Sequence, residues 1–107
     1  MIAVIFEVRP KPGRAGEYFD LAAGLKAELE TIEGFISVER FRSLTDEGKY
    51  LSLSLWRDEA AVAEWRRRSA HRAAQARGRG EIFADYRILV AGVVRDYGLD
   101  RRGEAPG

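Results

Sequence analysis

The sequence has no cysteine, one histidine and three prolines among its 107 residues. The absence of cysteine excludes disulfide bonds, thiolate metal sites and a cysteine nucleophile. No apolar run approaches the roughly 20 residues that a membrane-spanning helix needs. Met1 leads directly into a short alternating segment, without the basic start and long apolar stretch of a signal peptide. These absences predict a cytoplasmic protein that has no membrane partner.

Charge is almost balanced, since 18 lysine and arginine residues stand against 17 aspartate and glutamate residues. Nucleic-acid-binding domains are usually strongly basic, so this balance predicts no nucleic-acid partner. The basic residues are nevertheless clustered, with six arginines and no acidic residue between Trp65 and Gly80. Because Arg66, Arg67 and Arg68 are consecutive, they point in different directions and do not form one clamp. A solvated helix face is the ordinary interpretation of this run, and a site for an anionic group is the alternative.

The length of the chain and its 46% hydrophobic content indicate one domain with a small core. We predict that this domain spans residues 1–97. Residues 98–107 contain almost no apolar side chains and are predicted to form a flexible tail. A chain this short leaves a large fraction of its surface in water, so association with a second copy would stabilise it.

Hydrophobic periodicity predicts the secondary structure. Apolar residues alternate with period two in three segments, which predicts strands at 2–9, 35–43 and 50–56. Residues 81–97 are rich in aromatic and β-branched side chains and are predicted to form a long final strand. Apolar residues at three- and four-residue spacing predict a helix over 13–33, ended by Gly34 in a left-handed turn. A second helical region follows Asp58, a good N-cap residue. A break in that region is predicted near Arg68 and Ser69, because serine can cap a second short helix.

The predicted order is strand, helix, strand, strand, helix, strand, which is the ferredoxin-like βαββαβ motif. The fold class is therefore α+β, with a four-stranded antiparallel sheet and both helices on one face. Because the strand at 2–9 carries apolar residues on both faces, the second face of the sheet also needs cover. Packing of two such faces predicts a homodimer.

His71 is the one imidazole of the chain, and Gln75 lies one helical turn further on. The functional interpretations of His71 are a general base, a haem ligand or a hydrogen bond to a substrate. A surface histidine without a role is the alternative. No metal site is predicted, because the chain has one histidine, no cysteine and no suitably spaced carboxylate.

Three large aromatic residues, Tyr50, Trp56 and Trp65, belong to the same region of the sequence. In the strand at 50–56, Tyr50 and Trp56 share the face opposite the leucines. Tryptophan carries a large apolar surface and one hydrogen-bond donor, which suits core packing. The alternative is an aromatic wall for a flat ligand between the helices and the sheet.

The most specific part of the sequence is the segment Leu53–Gln75. Its features are a strand ending in Trp56, the helix start Asp58-Glu59-Ala60, Trp65 followed by Ser69, and an alanine-rich helix with His71. Together with the βαββαβ order, these features resemble the antibiotic biosynthesis monooxygenase (ABM) domain over about residues 1–97. The resemblance implies the dimeric α+β barrel fold. The family includes cofactor-independent monooxygenases, which oxidise polycyclic phenols to quinones with molecular oxygen, and haem-degrading monooxygenases.

The haem-degrading branch of this family uses an asparagine on the first strand, a tryptophan in the second helical region and a histidine ten residues later. Glu7, Trp65 and Gln75 stand at the corresponding positions here. Two of the three differ, and glutamine is not a normal axial ligand of haem. The resemblance therefore predicts that the chain has no cofactor and does not degrade haem.

Two functional hypotheses follow. The first is a cofactor-independent monooxygenase that acts on a small aromatic or polyphenolic substrate with molecular oxygen. His71, or Glu7 if it is buried, would be the base, and the pocket would be lined by Tyr50, Trp56, Trp65 and Gln75. The second is a non-catalytic dimer that binds a small molecule or responds to stress. A cavity that holds His71 or Glu7 beside an aromatic wall favours the enzyme, and a packed interior favours the binding protein.

Overall fold

In the computed structural model, residues 1–75, 82–101 and 103 are described, with the backbone alone for 69–75. These residues form four strands and two helices: β1 (Ile2–Pro10), α1 (Ala15–Leu29), β2 (Phe35–Arg42), β3 (Tyr50–Trp56), α2 (Glu59–Gln75) and β4 (Phe83–Gly92). The order βαββαβ is the one that the periodicity predicts. Strand β3 has its predicted limits, and helix α1 is shorter than predicted.

The strands form one antiparallel sheet in the order β2–β3–β1–β4, which confirms the ferredoxin-like α+β fold. At one end of the sheet, Ile2 of β1 lies between Trp56 of β3 and Gly92 of β4. Strand β4 ends at Gly92 and not at the predicted residue 97, and Gly92 is the last residue of β4 that pairs with β1. Just beyond β4, the Val93 N–H donates a backbone hydrogen bond to the Met1 carbonyl oxygen at 3.0 Å.

Helix α2 is continuous, so the predicted break near Arg68 and Ser69 is wrong. The surrounding alanines and arginines favour a helix interior, and one serine costs too little to interrupt it. The predicted N-cap is confirmed, because Asp58 Oδ1 accepts a hydrogen bond from the Ala61 N–H at 3.0 Å. This bond is the main reason that the pKa of Asp58 lies below its ordinary value.

Gly34 adopts the predicted left-handed conformation, with φ of +94°. It also lies at a close approach between the start of β2 and helix α2. A Cβ atom at residue 34 would stand 2.7 Å from the Cβ of Ala61. Both the backbone conformation and the available space therefore require glycine here.

Both helices pack on one face of the sheet, where the described core residues form two clusters. The larger cluster joins β1, β3 and the two helices through Val4, Leu29, Ile32, Trp56, Ala61 and Val62. The smaller one joins the other end of β1 to α1 through Val8, Tyr18 and Ile82. Phe6, at the centre of β1, packs against the smaller cluster.

The other face of the sheet is called the open face here. Neighbouring residues of a strand point to opposite faces, so the residues that alternate with buried Val4 and Val8 belong to this face. The strand registers place the following apolar residues on it: Ala3, Ile5, Leu51, Leu53, Leu55, Leu89 and Ala91. No helix of the described part of the chain covers them. Two charged residues of β1, Glu7 and Arg9, lie at one end of the open face.

Candidate functional site

Trp56 lies in the centre of the core and is 0% exposed. Its Nε1 donates a hydrogen bond to Ser54 Oγ at 2.9 Å, and Ser54 Oγ donates to the Val4 carbonyl oxygen at 3.4 Å. Its ring meets the Phe35 ring edge to face, with centroids 5.2 Å apart. The single donor of the indole is satisfied within the core, and the ring presents no surface to a ligand. This placement favours core packing over the predicted role as a pocket wall.

Trp65 and Tyr50 lie in different parts of the structure. The Trp65 ring on α2 is partly buried, and its centroid is 5.6 Å from that of Trp56. Tyr50 begins β3 and packs against the rings of Tyr18 and Phe19, at 6.1 and 5.0 Å. Because Tyr50 and Trp56 are the two ends of a strand, their Cα atoms are about 20 Å apart. The three aromatic residues therefore do not form one wall.

Glu7 lies on the open face, directly opposite Leu51 of β3 and Arg87 of β4. Its Oε1 is 3.1 Å from Lys49 Nζ, and its Oε2 accepts a hydrogen bond from Arg87 Nε at 2.6 Å. The hydrogen bonds from Lys49 and Arg87 hold the pKa of Glu7 below its ordinary value. A carboxylate stabilised in this way is a weak base. The sheet separates it from Trp56, so the structure does not bring these two predicted site residues together.

His71 and Gln75 both belong to helix α2, but their side chains lie outside the described residues. Their predicted roles as base and as substrate contact therefore stay predictions. The helix does fix their spacing, since residues four apart lie on the same side of a helix.

The arginines at the start of the basic run lie on the surface of α2, where two of them bind neighbouring polar side chains. Arg67 Nε and Arg68 Nε donate hydrogen bonds to the Glu64 carboxylate at 3.2 and 3.1 Å, one turn earlier in α2. Arg68 Nη1 also donates to Thr31 Oγ1 at 3.1 Å, which ties α2 to the segment after α1. Arg66 is exposed. The ordinary interpretation of this run, a solvated helix face, fits all three arginines.

A different apolar surface lies on the helix-facing side of β4, and we call it the β4 shelf. It consists of Phe6, Phe83, Tyr86, Ile88 and Val90. The register places Tyr86, Ile88 and Val90 opposite Val8, Phe6 and Val4, respectively. Val4 and Val8 are buried beneath the helices, at 2% and 1% exposure, whereas the three β4 residues are 60%, 50% and 49% exposed. The described parts of the helices thus cover β1 but leave β4, the edge strand beside it, uncovered.

Aromatic rings form one end of the β4 shelf. The Phe6 ring contacts those of Phe83 and Tyr86 edge to face, with centroid distances of 5.9 and 5.8 Å. Phe83 and Tyr86 also meet each other, at 6.3 Å. An exposed apolar surface with an aromatic end suits a flat, largely apolar small molecule. The aromatic and β-branched residues of the predicted strand at 81–97 were the available signal, but the sequence does not show which strand the helices leave uncovered.

A separate groove of about 590 Å³ runs along α1 and reaches Ile82. Its floor is apolar, with Leu21, Gly24 and Leu25, and its rim carries the carboxylates of Glu17, Asp20 and Glu28. None of the predicted site residues with a described side chain lines it. Its acidic rim disfavours anionic ligands.

Within the described residues, no group of three or more histidine and acidic side chains is arranged to hold a metal ion. The helices of this part of the chain also lack the length and hydropathy that crossing a membrane requires.

The fold is shared with solved structures of low sequence identity. The structure of Rv0793 from Mycobacterium tuberculosis superposes with a TM-score of 0.75 and 19% identity, covering 91% of this chain and 98% of that one. The heme-degrader MhuD from the same organism, with two hemes bound in its active site, gives a TM-score of 0.73 and 20% identity over 92% of this chain and 100% of its own. At these identities the likeness shows the fold alone.

Sequence relatives identify the family. A jasmonate monooxygenase from Pyricularia oryzae is 44% identical over 93 residues, which are 87% of this chain and 43% of that protein. The chain therefore spans less than half the length of this relative. The Bacillus subtilis protein YqjZ is 34% identical over 93 residues, which are 87% of this chain and 79% of YqjZ. The sequence model of antibiotic biosynthesis monooxygenases matches residues 1–77. The chain belongs to the antibiotic biosynthesis monooxygenase family.

Proposed function

We propose that the protein is a cofactor-independent monooxygenase that oxidises a small aromatic or polyphenolic substrate with molecular oxygen, and that the substrate lies on the β4 shelf. The observation that carries the proposal is the exposed strip of Tyr86, Ile88 and Val90 beside the Phe6 ring. Family membership and the 44% identical jasmonate monooxygenase support the reaction class.

The reaction starts with removal of a proton from an enolisable or phenolic substrate. The resulting anion transfers electrons to molecular oxygen, and a carbon–oxygen bond forms. For a CH₂ group between two aromatic rings, one oxygen atom becomes the new carbonyl. The second oxygen leaves as water together with the two hydrogens of that carbon. The oxygen molecule is thus the oxidant and the substrate supplies all four electrons, so the balance needs no other reductant.

The protein supplies a base and a partly dry surface for this reaction. His71 on α2 is the proposed base, since it is the one imidazole of the chain. Glu7, the alternative base, is ion-paired on the open face, and the sheet separates it from a substrate on the β4 shelf. The β4 shelf binds the flat substrate through edge and face contacts, and apolar cover around the anion disfavours its protonation by water.

We also propose that the working form is a homodimer joined through the open faces. The open face is mostly apolar, and the described helices leave it uncovered. Val94 and Leu99, which follow β4, are 82% and 87% exposed and offer further apolar contacts to a second copy. A stable dimer of this kind buries more than about 2,000 Å² in total.

The test uses 1,8-dihydroxyanthrone as the probe. Oxygen consumption and ¹⁸O₂ labelling should show one labelled carbonyl oxygen per turnover, at a rate above the background oxidation, with or without EDTA. Ile88→Arg places a charge on the β4 shelf and should raise KM at least tenfold. Ile36→Arg is the matched control, because Ile36 is 51% exposed against 50% for Ile88 and lies on the other edge strand. Equal effects of the two substitutions on KM would show that the substrate does not bind on the β4 shelf. An oxidation rate equal to the background would show that the protein is not an enzyme for this substrate class.

A ligand-binding protein without turnover is the second candidate. It is favoured by the burial of Trp56 and by the position of Glu7, since neither joins an aromatic pocket. In that case the probe binds with an Ile88-dependent affinity but is not oxidised faster than in buffer.

A further inference from the structure

Tyr86 carries the one polar side-chain group of the β4 shelf. The other shelf residues have hydrocarbon side chains: Phe6, Phe83, Ile88 and Val90. Tyr86 is 60% exposed, and its hydroxyl forms no hydrogen bond with the described residues. Apolar binding surfaces usually have a small number of polar groups, and these fix the orientation of the ligand. On the β4 shelf, the Tyr86 hydroxyl is the group that can do so.

The Tyr86 ring is held in position by its neighbours. It meets the rings of Phe6 and Phe83 edge to face, at centroid distances of 5.8 and 6.3 Å and interplanar angles of 63° and 61°. Its backbone lies directly opposite Val8, and its N–H donates a hydrogen bond to Asp85 Oδ1 at 2.9 Å. A donor that is already in position when charge develops stabilises an anion at little cost in reorganisation.

Tyr86 lies at one end of an apolar strip. Ile88 and Val90 follow it on the same side of β4, since alternate residues of a strand share a face. The four-residue step from Tyr86 to Val90 spans about 13 Å, which is enough for a flat ligand of about three fused rings. A ligand that covers Ile88 and Val90 therefore brings one edge to Tyr86.

The charged neighbours of Tyr86 in β4 are not placed for the same role. Arg87 lies on the open face and is paired with Glu7. Asp85 lies on that face as well, directly opposite Arg9. Among the described side chains of β4, the Tyr86 hydroxyl is thus the donor on the side where the shelf lies.

We propose that the Tyr86 hydroxyl donates a hydrogen bond to the substrate oxygen on which negative charge develops. The inference rests on the function proposed for the β4 shelf and names the donor that stabilises its anion. When the base breaks the reacting C–H bond and takes the proton, the electron pair spreads onto the conjugated carbonyl oxygen. Tyr86 keeps its own proton, and its hydrogen bond strengthens as that oxygen becomes anionic. The substrate class narrows to compounds whose reacting carbon is conjugated with a carbonyl or phenol oxygen.

The test measures the ionisation of 1,8-dihydroxyanthrone bound to the full chain without oxygen, so that the probe is not oxidised. With protein in excess, the absorption of the anion gives the pH at which half of the bound probe is ionised. Tyr86→Phe keeps the ring and should raise this midpoint by about one pH unit or more, because a hydrogen bond to a charged group contributes about tenfold or more. Tyr97→Phe is the matched control at a tyrosine outside the shelf, and should leave the midpoint unchanged.

Turnover in air gives a second measurement on the same variant. Tyr86→Phe should lower kcat by about 10²–10³-fold, the usual effect of removing one oxyanion donor. KM should change little, because the ring contacts remain and the neutral substrate has less charge on its oxygen. A residue that only packs against the substrate would show the opposite pattern, with a raised KM and an unchanged kcat.

Two outcomes would overturn the inference. One is a probe whose binding depends on Ile88 but whose ionisation midpoint is the same in Tyr86→Phe. That result would reject the role of the hydroxyl and leave the β4 shelf as the binding surface. The other is binding that Ile88→Arg does not weaken, which would reject the shelf and the inference with it. A raised midpoint in Tyr86→Phe without oxidation above background would support the hydrogen bond and reject the enzyme.

Discussion

Glu7 and Arg87 lie directly opposite each other on β1 and β4, and Arg87 Nε donates a 2.6 Å hydrogen bond to Glu7 Oε2. Lys49 approaches the other carboxylate oxygen at 3.1 Å. This ion-paired group sits at one end of an otherwise apolar face. The Glu7 side chain is only 16% exposed, although no helix of the described part covers that face. The open face is therefore both an apolar surface and a charged one, and these two properties can be tested separately.

The apolar part of the open face predicts how the dimer is disrupted. Leu53 lies in the middle of this face, opposite Ile5 of β1 and Glu39 of β2. Leu53→Arg should convert the dimer to a monomer, because an arginine buried between two apolar faces has no counter-charge. Sedimentation at micromolar concentration should give about twice the chain mass of 12.0 kDa for the natural protein and the single chain mass for the variant. Ala23→Arg, on the exposed side of α1, is the control and should stay dimeric.

The charged part predicts a pH dependence of stability. Lys49 and Arg87 lower the pKa of Glu7, so the folded state binds the proton of this group less readily than the unfolded chain does. The stabilisation is fully present above the ordinary glutamate pKa of about 4.3 and is lost as the pH falls through the lower, folded value. The stability difference between the natural chain and Glu7→Gln, from urea unfolding at one protein concentration, should shrink between pH 6 and pH 3.

Glu17→Gln is the control for this pH dependence. Glu17 meets a single arginine, Arg14, within the N-terminal part of α1, and its side chain is 51% exposed. Its stability difference from the natural chain should be small throughout the range. A Glu7→Gln difference that is constant with pH would show that the ion pairs at Glu7 add nothing to stability.

Much of the fold was predictable from local sequence signals, whereas the arrangement of the site was not. Strict alternation gave the limits of β3, and the capping preference of aspartate gave the start of α2. Whether Glu7 and Trp56 share a face depends on the register that pairs Ile2 with Trp56, and nothing in either strand specifies that register. The exposure of Ile88 depends in the same way on the positions of the two helices, and the sequence pattern of β4 does not specify those positions.

Replacement by alanine should have opposite effects on stability at two glycines, Gly34 and Gly24. Gly34→Ala should lower the free energy of unfolding by more than about 1 kcal/mol, because φ is +94° and the new Cβ would stand 2.7 Å from that of Ala61. Gly24 lies inside α1, and no atom is within 4 Å of the Cβ that an alanine would add. Gly24→Ala should therefore raise the free energy of unfolding by about 0.5–1 kcal/mol. Urea unfolding, followed by tryptophan fluorescence, measures both. Similar changes in the two variants would contradict the close approach of β2 and α2.

Haem is a further test, since the heme-degrader MhuD has the same fold. Glu7 lies on the open face in ion pairs, and Gln75 is not a normal haem ligand. Titration with haemin should therefore give no tight stoichiometric complex, and a reductant should cause no protein-dependent loss of the Soret band. MhuD itself is the positive control. Stoichiometric binding followed by degradation would refute this prediction and would point to His71 as the ligand.

The last prediction concerns His71 and rests on the proposed function. If its neutral imidazole removes the substrate proton, turnover of the anthrone probe should rise with pH as the imidazolium deprotonates and then level off. His71→Ala should lower turnover by about 10²–10⁴-fold, the usual worth of a positioned base, and abolish that pH dependence. Arg66→Ala, at an exposed residue of the same helix, should retain both the rate and the pH profile. An unaltered profile in His71→Ala, with the dimer intact, would assign the proton transfer to another group or to solvent.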